Sequence, residues 1–286
     1  MESALLAATL MALLGGTLAT VLAGVFGTLR VPATVDGPVV SPAVTRRSLL
    51  TLAHAGVLLG LAFLLAALVL RAVRVSHAPW SNMYEFNQAF AAAVLLVYLG
   101  LERRHPIRGL APLAALVAAA LVAYSLPLPA AVRPLPPALQ TPLFLTVHVG
   151  SAMLAYGLYA IAGAAAVAEL LQRAAKGGLA WLPPTEVNRA AAHRAVLFGL
   201  PVLTLAIVLG ALWANLAWRS YWNNDPKELA AAATWLIYLG YLHLAGRRDR
   251  WGSAAPWLLV IGFGAILFTY LAANLVIPGQ HSYSGV

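Results

Sequence analysis

The chain has 286 residues, 62% of them hydrophobic and 9% charged, with a mean hydropathy of +0.82; this rules out an ordinary soluble domain and is typical of a polytopic membrane protein. It holds no cysteine, which excludes disulfides, thiolate metal ligands and a cysteine nucleophile, so any thiol chemistry must use thiols brought by a partner. The net charge of +9 does not call for nucleic acid, because Lys and Arg in such a protein are first sorted between the two sides of the membrane.

Apolar runs long enough to cross roughly 30 Å of hydrocarbon, about 20 residues each, fall near 4–26, 49–73, 85–102, 109–127, 143–171, 195–217, 228–245 and 255–276. The expectation is an all-α bundle of about eight transmembrane helices. With the N-terminus outside, the cytoplasmic side takes Arg30, Arg46, Arg47, Arg103, Arg104, Arg108, Arg173, Lys176, Arg189, Arg194, Arg247, Arg248 and Arg250. The outer side keeps Arg71, Arg74, Arg133, Arg219 and Lys227. That division of the 18 Lys and Arg follows the positive-inside rule and puts both termini outside.

The first run opens Met1-Glu2 without a basic segment and is too long for a signal sequence, so it reads as a retained span. No linker rich in Ser, Gly or charge and no internal repeat divides residues 1–286, which read as a single transmembrane domain. The cytoplasmic connections near 27–48 and 172–194 contain Pro32, Pro38, Pro42, Gly177, Gly178, Pro183 and Pro184 and read as surface loops. On the outer side, Leu126-Pro-Leu-Pro-Ala-Ala-Val-Arg-Pro-Leu-Pro-Pro137 is too dense in proline for a helix and reads as an extended strap.

Polar features follow in chain order. His54 lies about five residues into the second span from the inside, at a depth similar to that of His243. The outer connection Ser76-His77-Ala-Pro79-Trp80-Ser81-Asn82-Met83-Tyr84-Glu85-Phe86 opens the third span, and Asn82 followed by Glu85 reads as a capping box. His105 and His193 lie beside basic residues and suit solvated surface roles, whereas the role of His77 is left open. His148 sits about five residues, or roughly 8 Å, into the fifth span from its outer end.

The outer Trp-rich loop at 213–228 centres on Trp218-Arg-Ser-Tyr-Trp222-Asn-Asn-Asp225-Pro-Lys-Glu228. By itself Asp225-Pro226-Lys227-Glu228 is a helix start, with Asp as N-cap, Pro at the first helical position and Glu at the third. Trp213, Trp218, Tyr221 and Trp222 suit an interfacial belt. Belts are spread over many helix ends, however, and the crowding of aromatics and asparagines from Trp218 to Asn224 suits a flat apolar ligand with a polar edge better.

His243 lies about 15 residues, or roughly 22 Å, along the seventh span from Glu228, near the cytoplasmic side. His281 follows the eighth span on the outer side. An intramembrane histidine is costly enough to mark a candidate functional site, although a helix-to-helix hydrogen bond accounts for any single one. The outer pair, His148 and His281, flanks the Trp-rich loop, and two such imidazoles can ligate one haem iron with the aromatics packed on the porphyrin faces.

With these residues the chain resembles the cytochrome c assembly proteins of the CcsA or ResC type, the haem-handling WWD-motif subunit of the system II cytochrome c synthase. The resemblance runs from His77–Phe86 to Gly279-Gln-His281-Ser-Tyr283. It rests on Trp213-Ala-Asn215, Tyr221-Trp222, Asp225-Pro-Lys-Glu228, Thr234-Trp-Leu-Ile-Tyr238, Tyr241-Leu-His243, Phe268-Thr-Tyr270 and Asn274. It implies that His148 and His281 ligate haem b beside the loop and that His243 helps receive haem from the cytoplasm. Trp213, Trp218, Tyr221, Trp222 and Asp225 then belong to the haem-binding surroundings. The motif is degenerate: the family pattern Trp-Gly-Ser-Tyr-Trp-Ser-Trp-Asp has Gly where this chain has Arg219 and Trp where it has Asn224.

The activity so implied is that of a holocytochrome c synthase, or haem lyase, subunit: thioether formation between the haem vinyls and the thiols of a CxxCH segment in apocytochrome c. No residue of the chain reads as a nucleophile, which fits catalysis by positioning through His148 and His281. The resemblance further implies a membrane subunit of the ResB or CcsB type as partner. A thiol reductant serves indirectly, since the outer compartment is oxidising. The expected location is a cell (plasma) or thylakoid-type membrane, with the haem site on the outer or periplasmic side. A haem exporter or chaperone without ligation activity, and a b-haem electron-transfer subunit, are the alternatives.

Overall fold

The computed structural model describes residues 1–28, 42–132, 134–135, 137–176, 178–179, 181–246, 253–275, 277 and 279–281. Arg30, Pro32, Pro38, Arg133, Gly177, Arg247, Arg248, Arg250 and Tyr283 of the sequence analysis lie outside these, as do the side chains of Arg46 and Asn274. Among the described residues the chain forms α1 (Glu2–Thr28), α2 (Pro42–Val75), α3 (Met83–Glu102), α4 (Ala111–Ser125), α5 (Pro142–Ala174), α6 (Thr185–Trp218), α7 (Pro226–Ala245) and α8 (Ala255–Leu275). There is no strand among them.

Six segments are long and apolar enough to cross a membrane: Glu2–Gly24, Arg47–Val75, Met83–Glu102, Arg108–Ser125, Thr146–Ala174 and Thr185–Trp218. The chain is thus the expected all-α, multi-pass helix bundle. The seventh and eighth helices complete it differently. α7 mixes Lys227, Glu228, Thr234, Tyr238, Tyr241 and His243 into its apolar residues, whereas α8 is apolar along most of its 21 residues. Both pack within the bundle, α7 on α6 and α8, and α8 on α5.

Several helices outrun the apolar segments that announce them. α6 has 34 residues, which at about 1.5 Å each span roughly 51 Å, against roughly 30 Å of hydrocarbon. Its first turns, expected in a loop, are helical beside the end of α5, where Glu169 pairs with both Arg173 and Arg189. The apolar run marks the hydrocarbon rather than the end of the helix. For the same reason α2 starts at Pro42, a residue suited to the first helical position, and takes in residues 42–48 that were expected in the preceding connection.

α1 packs along α2 and α5 along α6, with α3 and α4 between the two pairs. The first contact is backbone-close, since a Cβ on Gly56 would fall 2.6 Å from the Ala12 carbonyl oxygen, as small-residue packing of membrane helices requires. Phe90, Leu95, Tyr98, Ala114, Ala118, Tyr159, Ile161 and Ala165 fill the centre.

At one end of the bundle a polar network fixes the segment that begins α3. Arg71 Nε donates to Glu85 Oε1 at 2.9 Å with both side chains buried, and Arg71 Nη1 donates to the Ala130 carbonyl at 2.7 Å. Glu85 Oε2 accepts from the backbone N–H and hydroxyl of Ser81 at 2.9 and 2.8 Å. Tyr84 and Arg74 both donate to Glu2, at 2.7 and 3.0 Å. The capping box expected at Asn82 is therefore half formed. Asn82 accepts from the Glu85 N–H at 3.0 Å, but Glu85 reaches Ser81 and Arg71 instead of the Asn82 N–H, because a buried guanidinium is the stronger claimant on a carboxylate. The described part of the proline-rich strap is free of α-helix, as expected, and Pro137–Leu139 form one 3-10 turn.

Candidate functional site

At the same end lies an open cavity of about 180 Å³, and His148 and His281 both line it. One wall is Trp80, Met83 and Phe86 from the segment held by Glu85; Leu203, Ile207, Gly210 and Trp213 of α6 form another, and Tyr156 and Tyr270 lie at its side. Tyr221 and Trp222 line it too, and both are largely exposed, at 58% and 43%, as residues at a mouth are.

His148 is anchored across the α5–α6 interface, where its Nδ1 lies 2.8 Å from the Ala206 carbonyl. A carbonyl only accepts, so Nδ1 carries the proton and Nε2 keeps its lone pair. Gly210 makes the approach possible: a Cβ there would stand 2.7 Å from His148 Cε1.

His281 reaches the same cavity from the segment after α8. Its Nδ1 lies 2.8 Å from Asp225 Oδ1, and Asp225 is buried at the start of α7. Asp225 forms the expected capping box with Glu228, its Oδ1 accepting from Lys227 N–H at 2.9 Å. Its Oδ2 accepts from Gln280 N–H at 2.6 Å. Burial acts to raise its pKa; the hydrogen bond and charge of His281, then the Lys227 and Gln280 N–H groups, outweigh that and hold the carboxyl at about 2.

Trp213 joins the two imidazoles. Only 2% exposed, it lies parallel to His148 at 6.2 Å between centroids and 10° between planes, and tilted to His281 at 5.8 Å. Trp218 meets Trp213 edge-on at 4.7 Å and His281 at 5.0 Å. Of the residues singled out from the sequence, His148, His281, Trp213, Trp218, Tyr221, Trp222 and Asp225 therefore come together. Asp225 and Trp218 sit behind the lining rather than in it.

His243 stands apart, exposed in the last turn of α7. His54 Nδ1 lies 3.2 Å from Glu102, and His193 is 6.2 Å from the Tyr241 ring. His105 accepts from Arg194 at 2.7 Å, in keeping with a surface role. His77 Nδ1 contacts the Ala78 carbonyl at 2.9 Å. Sequence reasoning passed over Gly210, the Ala206 carbonyl and the cavity-lining Tyr156, and read Lys227 and Trp80 only as parts of helix starts. Lys227 was legible through its place in the Asp-Pro-Lys-Glu run; a glycine or carbonyl whose role lies on a facing helix leaves no sequence signal.

The family described as cytochrome C assembly protein matches residues 48–281. The chain belongs to that family. Curated relatives include the cytochrome c biogenesis protein CcsA of Chlamydomonas reinhardtii, 32% identical over 79% of this chain and 67% of that protein. The CcsA of Parasynechococcus marenigrum is 32% identical over 77% of this chain and 82% of its own length. Among solved structures, a cytochrome c heme lyase CcmF shares the fold, with a TM-score of 0.63 at 21% identity over 95% of this chain, which spans 46% of that one. Membership in the cytochrome c assembly family gives this membrane protein a role in cytochrome c maturation.

The two departures from the family's Trp-rich motif both fall at left-handed backbone positions. Arg219 has φ 61 and ends α6, its N–H bonded to the Asn215 carbonyl at 3.0 Å. Asn224 has φ 55, a conformation asparagine tolerates better than most side chains, and its Oδ1 accepts from Trp222 Nε1 at 2.9 Å. This turn of the cytochrome c assembly motif is held by a side-chain bond within the loop.

Proposed function

We propose that the cavity holds haem b between His148 and His281 and presents its vinyl edge to the CxxCH segment of an apocytochrome c. The observation that carries this reading is that both imidazoles line one cavity while their Nδ1 atoms meet acceptors, the Ala206 carbonyl and Asp225, which makes Nε2 of each the unprotonated nitrogen, the one suited to iron. Phe86, Leu203, Ile207 and Tyr270 offer a porphyrin apolar and aromatic walls. The buried Trp80 Nε1 has no hydrogen-bond acceptor among the described residues and suits a ligand with a polar edge.

In this reading each thiol adds across a vinyl double bond, its sulfur bonding to one carbon and a proton going to the other, with no net redox change. His148 and His281 hold and orient the haem, the aromatic walls exclude water, and displacement of one imidazole admits the substrate's own histidine. The thiols must arrive reduced, so a separate reductant serves the site. The positive-inside division of Lys and Arg favours the outer face of a cell or thylakoid-type membrane. The exposed imidazole of His243 suits a haem-receiving ligand completed by a ResB- or CcsB-type subunit.

The test is a reduced-minus-oxidised spectrum of the purified chain in lipid nanodiscs. The expected result is a low-spin b-type signal that His148→Gly or His281→Gly each abolishes and added imidazole restores. An unchanged low-spin spectrum in both variants would falsify the ligand assignment.

A further inference from the structure

Asp225 begins as a helix cap, yet its carboxylate does more than cap. It takes three donors: Lys227 N–H of α7, Gln280 N–H of the segment after α8, and His281 Nδ1, at 2.9, 2.6 and 2.8 Å. The segment is drawn so close that a Cβ on Gly279 would lie 2.5 Å from Asp225 Oδ2. Capping a helix needs one of these contacts; the other two engage residues more than fifty positions away. The site is thus assembled from α7 and the far end of the chain through one buried carboxylate.

We propose that Asp225 is a positioning residue that fixes His281 in the Nδ1–H tautomer and locks the 279–281 segment, so that Nε2 is the ring nitrogen left unprotonated. This deepens the reading of His281 as a haem ligand and rests on it. A carboxylate behind the imidazole also strengthens the ring as a ligand by drawing on its N–H proton. His148 receives the weaker form of the same treatment, from the Ala206 carbonyl. The two ligands are therefore unequal: His281 is held by a carboxylate and His148 by a carbonyl, so His148 is the one more readily displaced by an incoming imidazole.

Asp225→Ser separates this role from capping, because serine caps about as well as aspartate but is too short to reach His281. The full chain, labelled with 15N in its histidines and held ligand-free in nanodiscs, gives a readout that does not depend on haem. The His281 resonances are assigned by their loss in His281→Gln. The expected wild-type pattern is a protonated Nδ1 and a bare Nε2, and in Asp225→Ser it moves toward the Nε2–H form with α-helical content unchanged. In haem-loaded protein the same variant is expected to shift the midpoint potential to more positive values. A His281 tautomer identical in wild type and Asp225→Ser overturns the proposal. A changed tautomer with haem binding and potential untouched leaves Asp225's hold on His281 standing and sinks the ligation reading instead.

Discussion

At the scale of single residues, the site depends on what a missing side chain permits. Gly210 opens the α5–α6 interface just where the His148 ring passes, since a Cβ would come within 2.7 Å of Cε1. Gly210→Ala is expected to push the imidazole off the Ala206 carbonyl and weaken haem retention about tenfold or more, a loss of at least about 1.4 kcal/mol, measured as the off-rate to apomyoglobin. A wild-type off-rate would show that His148 has no part in holding haem. Arg219 presents the opposite case, a long side chain at φ 61 where glycine is free of strain. Arg219→Gly is expected to raise unfolding stability by about 1 kcal/mol, read from thermal melts in detergent. Asn224→Trp gains indole contact area but must meet a backbone cost of about 1–2 kcal/mol at φ 55 and lose the Trp222 bond. The loop therefore shapes haem affinity through its backbone as well as its ring surface.

At the scale of elements, the wall built from Trp80 to Phe86 is only as firm as the Arg71–Glu85 pair beneath it. Both side chains are about 1% exposed, and removing one partner strands the other charge. Glu85→Ala is expected to cost about 3–5 kcal/mol, whereas Arg71→Met combined with Glu85→Leu should recover most of it, because a packed apolar pair replaces two desolvated charges. Unfolding of the three variants in mixed micelles decides the matter; equal losses for single and double variants would contradict the stranded-charge account. The sequence indicated the α3 cap through Asn82 and Glu85 but not this pair. Arg71 ends an apolar run and looked like one more flanking base, and only the packing of α2 against α3 takes it out of water. Likewise α6 was legible as an apolar run yet longer than that run, because helical hydrogen bonding continues wherever ion pairs such as Glu169–Arg189 support it.

For the whole molecule, the proposed orientation puts the cavity on the side poor in Lys and Arg. The absence of cysteine makes this directly measurable, since each introduced cysteine is the sole thiol. Arg219→Cys and Gln280→Cys are expected to react with a membrane-impermeant maleimide applied to intact cells, and Arg104→Cys only after permeabilisation. The reverse pattern would place the cavity on the cytoplasmic side and remove the basis for thioether chemistry there.

The sequence by itself determined the membrane class, the helical order and the position of the histidines, because hydropathy and the local Asp-Pro-Lys-Glu cap act within short stretches of chain. Of the loop expected at 213–228, only residues 219–225 lie between helices. Only the tertiary structure decided that His148 and His281 share one cavity, that Trp213 lies against both rings, and that Asp225 serves His281 as well as α7. Those facts arise where helices distant in sequence pack together. There a carbonyl, a glycine or a capping carboxylate gains its second role from a neighbour that no local pattern records.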